Sequence, residues 1–304
     1  MGQGDAQTIL GRYWPASIDE ARFPTEAVRF ATEPGVTVTG KWNRTGGEVV
    51  LVLVHGLTAC TDARYMLSLA QSALEQGYDV LRLNVRNCGG TEALCPTLYH
   101  SGITADLRSV VDQLAPRRLV LLGFSMGGNQ AVKLAGDWGD APPPHVRGVC
   151  GVSVPARLDD CSRRIGEFRN RVYEIRFLRQ LAATLRVKQQ LMPDLFAGLE
   201  PRHPTIWEFD DKVTAPAFGF ADAADYYQHA SAARVLENIR VPTLMIQAED
   251  DPFIPFSTYQ DPAFDSNPNL TLLESRRGGH VAFLGRGAPR FWAEQQALNW
   301  FGAL

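Results

Sequence analysis

Five consecutive residues, Gly123-Phe124-Ser125-Met126-Gly127, carry the clearest chemistry in this chain. They read G-x-S-x-G. The run at 118–122 before them is apolar and strand-like, and residues 128–135 after them can open a helix. A serine between a buried strand and a helix sits on a tight turn with its hydroxyl pushed out above the sheet. Flanking glycines permit the sharp backbone and the close approach of strand to helix. A hydroxyl so presented suits nucleophilic attack on an acyl carbon, provided a base can take its proton.

The base needs a third group to orient it, and on such a turn the partners follow in the order serine, acid, histidine, each on a loop after a strand. The strand-like run 243–247 leads into Ala248-Glu249-Asp250-Asp251-Pro252-Phe253-Ile254-Pro255. Any of Glu249, Asp250 and Asp251 can accept the Nδ1 proton of a histidine and fix its tautomer. Of the six histidines (His55, His100, His145, His203, His229 and His280), only His280 lies beyond that loop, in Arg277-Gly278-Gly279-His280-Val281. An oxyanion developing on the substrate needs preorganised N–H donors. Met126, the residue after the nucleophile, supplies one backbone N–H. The loop His55-Gly56-Leu57 supplies the other, from Leu57, with His55 holding the loop by hydrogen bonds rather than acting as a base.

The elements that must position these groups are legible as alternation. Residues 26–32 and 36–42 read as two strands joined at Pro34-Gly35. The run 49–54 is continuously apolar, as expected of a strand covered on both faces. A helical pattern at 63–76, a strand at 79–84, a helix at 105–114, strand 118–122 and strand 147–154 follow. The expectation is an α/β fold with a doubly wound, mostly parallel sheet. Alternation stops at residues 157–216, which read as helical. Ile165, Phe168, Val172, Ile175, Leu178, Leu181 and Leu185 form an amphipathic stripe there. This segment is expected to be a cap inserted after the sixth strand, over the strand ends where ligands bind, within a single domain spanning 1–304. Alternation resumes at 243–247 and 270–273 and closes with a helix at 291–301.

Composition bounds the rest. The chain is 45% hydrophobic and 21% charged, with a formal net charge of −3. That is an ordinary globular balance with no global pull toward nucleic acid. No apolar run approaches the ~20 residues a membrane span needs, and no basic-then-apolar segment opens the chain as a secretory signal would. Five cysteines at irregular spacing, without a C-x-x-C pair, read as free thiols in a reducing cytoplasm. The arginines at 163, 164, 169, 171, 176, 179 and 186, with Lys188, make the helical segment locally basic. They read as the solvated face of an amphipathic helix. Attraction to anionic lipid is the competing reading, so peripheral membrane contact stays open.

With these residues in view, the chain resembles the α/β-hydrolase superfamily, in its YheT-like branch of serine esterases and lipid-ester hydrolases. The likeness is carried by Gln7-Thr8-Ile9, His55-Gly56-Leu57, Arg86-Asn87-Cys88-Gly89-Gly90, Tyr99-His100-Ser101-Gly102, Gly123 to Gly128, Phe209-Asp210-Asp211, Asp225-Tyr226-Tyr227, Asp250-Asp251-Pro252-Phe253 and Gly278-Gly279-His280. Asn87 stands where the branch has glycine. The resemblance implies Ser125 as nucleophile, His280 as base and Asp251 as the orienting acid, because Asp251 precedes Pro255 by the four positions seen in similar hydrolases. It further implies hydrolysis of a small-molecule carboxylic ester with no metal or organic cofactor, the substrate class staying broad, from phospholipids to short acyl esters. The same three side chains would equally serve an acyltransferase, a thioesterase or an amidase, and the fold could host a non-catalytic binding protein.

Overall fold

A computed structural model describes residues 2–285 and 290–304. Eight strands form one sheet in the order β1-β2-β4-β3-β5-β6-β7-β8. They are β1 (Thr25–Glu33), β2 (Val36–Asn43), β3 (Val49–Val54), β4 (Asp79–Leu83), β5 (Arg118–Phe124), β6 (Val146–Val152), β7 (Thr243–Ala248) and β8 (Leu270–Ser275). β1 pairs antiparallel with β2, and β2 with β4; every later pairing is parallel. The expected doubly wound sheet is therefore present, with the 26–42 hairpin as its antiparallel edge.

β3 shows why the sheet is buried on both sides. Val50, Val52 and Val54 belong to one apolar cluster, and Leu51 and Leu53 to another, because successive side chains leave a strand on opposite faces. The first cluster is covered by α3 (Ala105–Gln113) and α4 (Met126–Trp138). The second is covered by α2 (Arg64–Glu75) and α12 (Trp292–Gly302). In α2, Met66, Leu69, Ala70, Ala73 and Leu74 repeat at the helical period and are buried. Gly77, at φ +87°, then lets the chain turn back into β4.

Between β6 and β7 the chain is helical: α5 (Leu158–Ile165), α6 (Arg171–Leu191), short α7 (Pro193–Phe196), α8 (Ile206–Phe209) and α9 (Ala215–Ala217), then α10 (Ala223–Ala230). A five-residue π-helical turn, Asp210–Thr214, links α8 to α9. Helices thus continue past residue 216, where the sequence pattern suggested an end. Pro216 is the second residue of α9, directly after the π-helical turn. The expected apolar stripe is also broken. A 3₁₀ turn, Phe168–Asn170, separates α5 from α6. It leaves Phe168 94% and Val172 74% exposed, while Leu178 and Leu185 of the same stripe are buried.

Two further helices were not foreseen. Short α11 (Ala263–Ser266) precedes β8, and α1 (Gln3–Tyr13) precedes the whole sheet. Among the described residues no helix is long and apolar enough to cross a membrane.

Candidate active site

β5 ends at Phe124 and α4 begins at Met126, so Ser125 alone makes the turn between them. Its backbone sits at φ 53°, ψ −120°, a conformation that costs a non-glycine residue on the order of 1–3 kcal/mol. The surroundings hold it there. The Ser125 N–H donates to the Val152 carbonyl of β6 at 2.8 Å, and the Ser125 carbonyl accepts from Asn129 N–H at 3.0 Å. A Cβ on Gly123 would overlap the Gly127 carbonyl, and one on Gly127 would overlap the carbonyls of Val54 and His55. The glycines of the motif are there because backbone passes through the space a side chain would take.

The Ser125 hydroxyl lies 2.9 Å from Nε2 of His280, and Nδ1 of His280 lies 2.9 Å from Oδ2 of Asp251. The other oxygen of Asp251, Oδ1, accepts from the N–H groups of Phe253 (2.8 Å) and Ile254 (3.1 Å). Those two bonds orient the carboxylate, so Nδ1 carries the imidazole proton and Nε2 is left to accept from the serine. Asp251 is 3% and His280 8% exposed. The Phe253 ring packs 4.7 Å from the imidazole, screening it from water.

The rival acids are placed elsewhere. Glu249 is exposed. Asp250 turns away from the imidazole, and its Oδ1 accepts from the N–H groups of Gly278 (2.8 Å) and Gly279 (2.9 Å). It shapes the loop that carries His280. His55 is fully buried, and its Nε2 accepts from Val85 N–H at 3.1 Å while Nδ1 faces the Gly56 carbonyl at 2.8 Å. Burial pushes its pKa down to about 4, so it is neutral and ties the loop after β3 to the loop after β4. Leu57 and Met126 line the same cavity as Ser125 and His280. Among the described residues neither amide N–H has a protein acceptor. Asn87 adopts φ 61°, the left-handed backbone that glycine takes freely and asparagine tolerates, so the loop keeps its turn.

The residues that sequence reasoning missed lie on α1. The Thr8 hydroxyl accepts from the His280 N–H at 2.8 Å while donating to the Gly4 carbonyl at 2.8 Å. Gln7 Oε1 accepts from Leu284 N–H at 2.9 Å. A Cβ on Gly4 would overlap the Asp250 carbonyl, one on Gly11 would overlap Ala282, and one on Gly279 (φ +59°) would overlap the Gly4 carbonyl. α1 therefore presses directly on the loops that bear Asp251 and His280. The signal was the Gln7-Thr8-Ile9 stretch, which no chemistry at the sequence level explained. α1 also reaches the helical segment, where Asp5 meets Arg169 and Tyr173, each at 3.4 Å.

Above Ser125 lies a cavity of about 970 Å3, counting its open mouth. Leu98, Phe177, Leu181, Leu185, Ile206 and Phe209 give it apolar walls, most of them from the helices between β6 and β7. Part of the local positive charge of that segment is paired. Arg163, Arg164, Arg169 and Arg171 each pair with a carboxylate, and Lys188 is buried against the carbonyls of Glu92 and Cys95.

A serine on a strained strand-to-helix turn, on this sheet order, with an aspartate and a histidine on the loops after later strands, defines a class. The chain belongs to the α/β-hydrolase fold family, whose profile matches residues 49–286. Within it, the chain is 33% identical over 261 residues to the putative esterase YheT of Escherichia coli, a match covering 82% of this chain and 75% of that one. It is 31% identical to an abhydrolase domain-containing protein of Dictyostelium discoideum and 28% identical to a monoacylglycerol lipase of Saccharomyces cerevisiae. Those matches cover 82% and 84% of this chain but only 65% and 59% of the relatives' lengths. An esterase of Pyrococcus furiosus superposes with a TM-score of 0.63 at 17% identity, covering 95% of this chain and 98% of its own, a likeness of fold.

Proposed function

We propose that this protein is a serine hydrolase that cleaves carboxylic esters through an acyl-enzyme. The observation that carries the reading is the unbroken hydrogen-bond chain Asp251–His280–Ser125, opening into an apolar cavity. The similarity to esterases and lipases points the same way. Ser125 Oγ attacks the ester carbonyl as His280 Nε2 takes its proton. Asp251 stabilises the imidazolium that forms. The oxyanion is held by the N–H groups of Leu57 and Met126; one such donor is typically worth ~3 kcal/mol in the transition state. His280 then protonates the departing alcohol. Water, activated by the same imidazole, frees the acid and restores the serine. The helices between β6 and β7 act as a cap whose apolar lining receives the acyl chain and keeps bulk water from the acyl-enzyme.

The test is a panel of p-nitrophenyl esters graded by acyl length, with fluorophosphonate labelling of the purified protein. The expected results are turnover and a single adduct at Ser125, both absent in Ser125→Ala. Equal turnover by Ser125→Ala, or no adduct on the parent protein, would overturn the assignment.

A further inference from the structure

Two of the stretches that stood out in the sequence, Phe209-Asp210-Asp211 and Asp225-Tyr226-Tyr227, take no part in the serine–histidine–aspartate chain. They meet inside the cavity. Asp210 opens the π-helical turn, and such turns recur at functional sites because they redirect side chains within a helix. Its Oδ1 accepts from the Thr214 hydroxyl at 2.7 Å and its Oδ2 from the Tyr227 hydroxyl at 2.6 Å. The Tyr227 oxygen lies 3.0 Å from the Ser162 hydroxyl. Since the tyrosine proton goes to Asp210, Ser162 is the donor in that pair. All four residues line the cavity that holds Ser125 and His280.

This cluster has the marks of a site rather than of a structural tie. The cavity is otherwise mostly apolar, and a carboxylate set into such a surface is costly unless something pairs with it. No cation does so among the described residues; the neighbouring Lys212 pairs with Asp211 instead, at 2.8 Å. Asp210 is enclosed by protein but not sealed, and it retains accessible surface. Burial raises its carboxyl to about 6 against the pull of its two hydroxyl partners, so at neutral pH it is mainly ionised. Each oxygen still has lone-pair capacity beyond its one hydroxyl donor. A few placed polar groups in an apolar pocket are what fixes a ligand's orientation.

We propose that Asp210, framed by Thr214, Tyr227 and Ser162, recognises a hydroxyl-bearing part of the ester substrate. This rests on the hydrolase reading above and deepens it. A ligand hydroxyl can donate to the carboxylate and accept from a neighbouring hydroxyl in turn, which matches a cluster built of both kinds of group. A quaternary ammonium has no hydrogen to donate. The substrate class is thus an ester that carries a free hydroxyl within the same cavity, such as a partial ester of a polyol.

The experiment compares three butyrate esters: glyceryl monobutyrate, propyl butyrate and butyrylcholine. The first two share the acyl chain and a three-carbon alcohol and differ by two hydroxyls. The readout is the ratio of kcat/KM for glyceryl monobutyrate to that for propyl butyrate. It should favour the glyceryl ester in the parent enzyme and fall at least about tenfold in Asp210→Ala, as expected for losing a hydrogen bond to a charged group. Fluorophosphonate labelling at Ser125 reports whether each variant keeps an assembled site. Asp210→Asn, which preserves shape, carries the test if the alanine variant does not fold. A purely structural role would depress both esters alike, and an unchanged ratio in a labelled variant overturns the proposal. So does a variant that loses butyrylcholine turnover more than glyceryl monobutyrate turnover, which would make the occupant a cation. If the parent cleaves none of the three and takes no fluorophosphonate at Ser125, the hydrolase reading itself falls; a parent that labels at Ser125 but does not prefer the glyceryl ester overturns the hydroxyl subsite alone.

Discussion

Ser125 and His280 stand 2.9 Å apart, yet they are held by different kinds of structure. Ser125 is held by the sheet. Its turn is braced by β6 through Val152, by the close passage of the β3 end at Val54 and His55, and by the first turn of α4. His280 is held by loops and by a helix from the far end of the chain: Asp250 grips the N–H groups of Gly278 and Gly279, and Thr8 grips that of His280 itself. The sheet side is built from the turn's own sequence neighbours and from cooperative strand pairing. The loop side is built from a few hydrogen bonds spanning up to 272 residues. The first should fail by unfolding and the second by losing its alignment while the fold survives.

The largest expected effect removes the hydroxyl both sides serve. Ser125→Ala should lower kcat/KM on a p-nitrophenyl ester by a factor on the order of 10^4 or more, with the melting temperature little changed, because alanine keeps the Cβ that strains this turn. A fall below tenfold would break the comparison at its centre. Next is a sheet-side effect read as stability. The folded pKa of His55 lies near 4 against 6.5 in the open chain, so the unfolded state binds the extra proton between those values. Its contribution is intact above about pH 6.5 and drains away as pH falls toward 4, by up to about 3 kcal/mol. Urea unfolding of parent and His55→Asn at pH 7 and pH 4.5 should show the variant weaker at pH 7 and less sensitive to acid.

Two loop-side changes should be smaller and should register in kcat. Asp250→Ala removes both acceptor bonds that shape the His280 loop; a loss of about 2–3 kcal/mol in transition-state stabilisation is expected, read as kcat/KM, with far-UV circular dichroism unchanged. Thr8→Val removes one bond to the His280 backbone and should cost about 1 kcal/mol, roughly fivefold in kcat, with little change in KM. If Thr8→Val instead lowered the melting point and left kcat alone, α1 would belong to the stability of the fold and not to alignment of the base. The smallest effect belongs to neither side. Arg179 is exposed on α6, and Arg179→Gln should change stability by less than about 0.5 kcal/mol and leave flotation with anionic vesicles as it was.

The same contrast decides what could be read from the sequence. The elbow was legible because its strand, serine, glycines and helix are neighbours in sequence and each obeys a local rule. β3 was legible because a strand buried on both faces must be apolar throughout. α1 was not, because its buried residues are Gly4, Asp5 and Gly11, chosen for close approach and a polar contact, and these leave no apolar stripe. The stripe through Phe168 and Val172 misled for the opposite reason: the spacing continues across a break, where Glu167 is extended and a 3₁₀ turn replaces the α-helix. Composition alone could not separate Asp250 from Asp251. Adjacent side chains leave the backbone in different directions, so the choice of Asp251 comes from the resemblance, through its spacing to Pro255, and not from local chemistry.

The clasp of Thr8 on His280 also sets an order of events during synthesis. A nascent chain emerging from the ribosome would present α1 and Ser125 well before the loop against which α1 docks. Until the segment around His280 has cleared the exit tunnel, α1 has no seat and the Ser125 hydroxyl lacks the imidazole it faces. Assembly of this site thus waits on a segment made long after the serine, whose turn can form first.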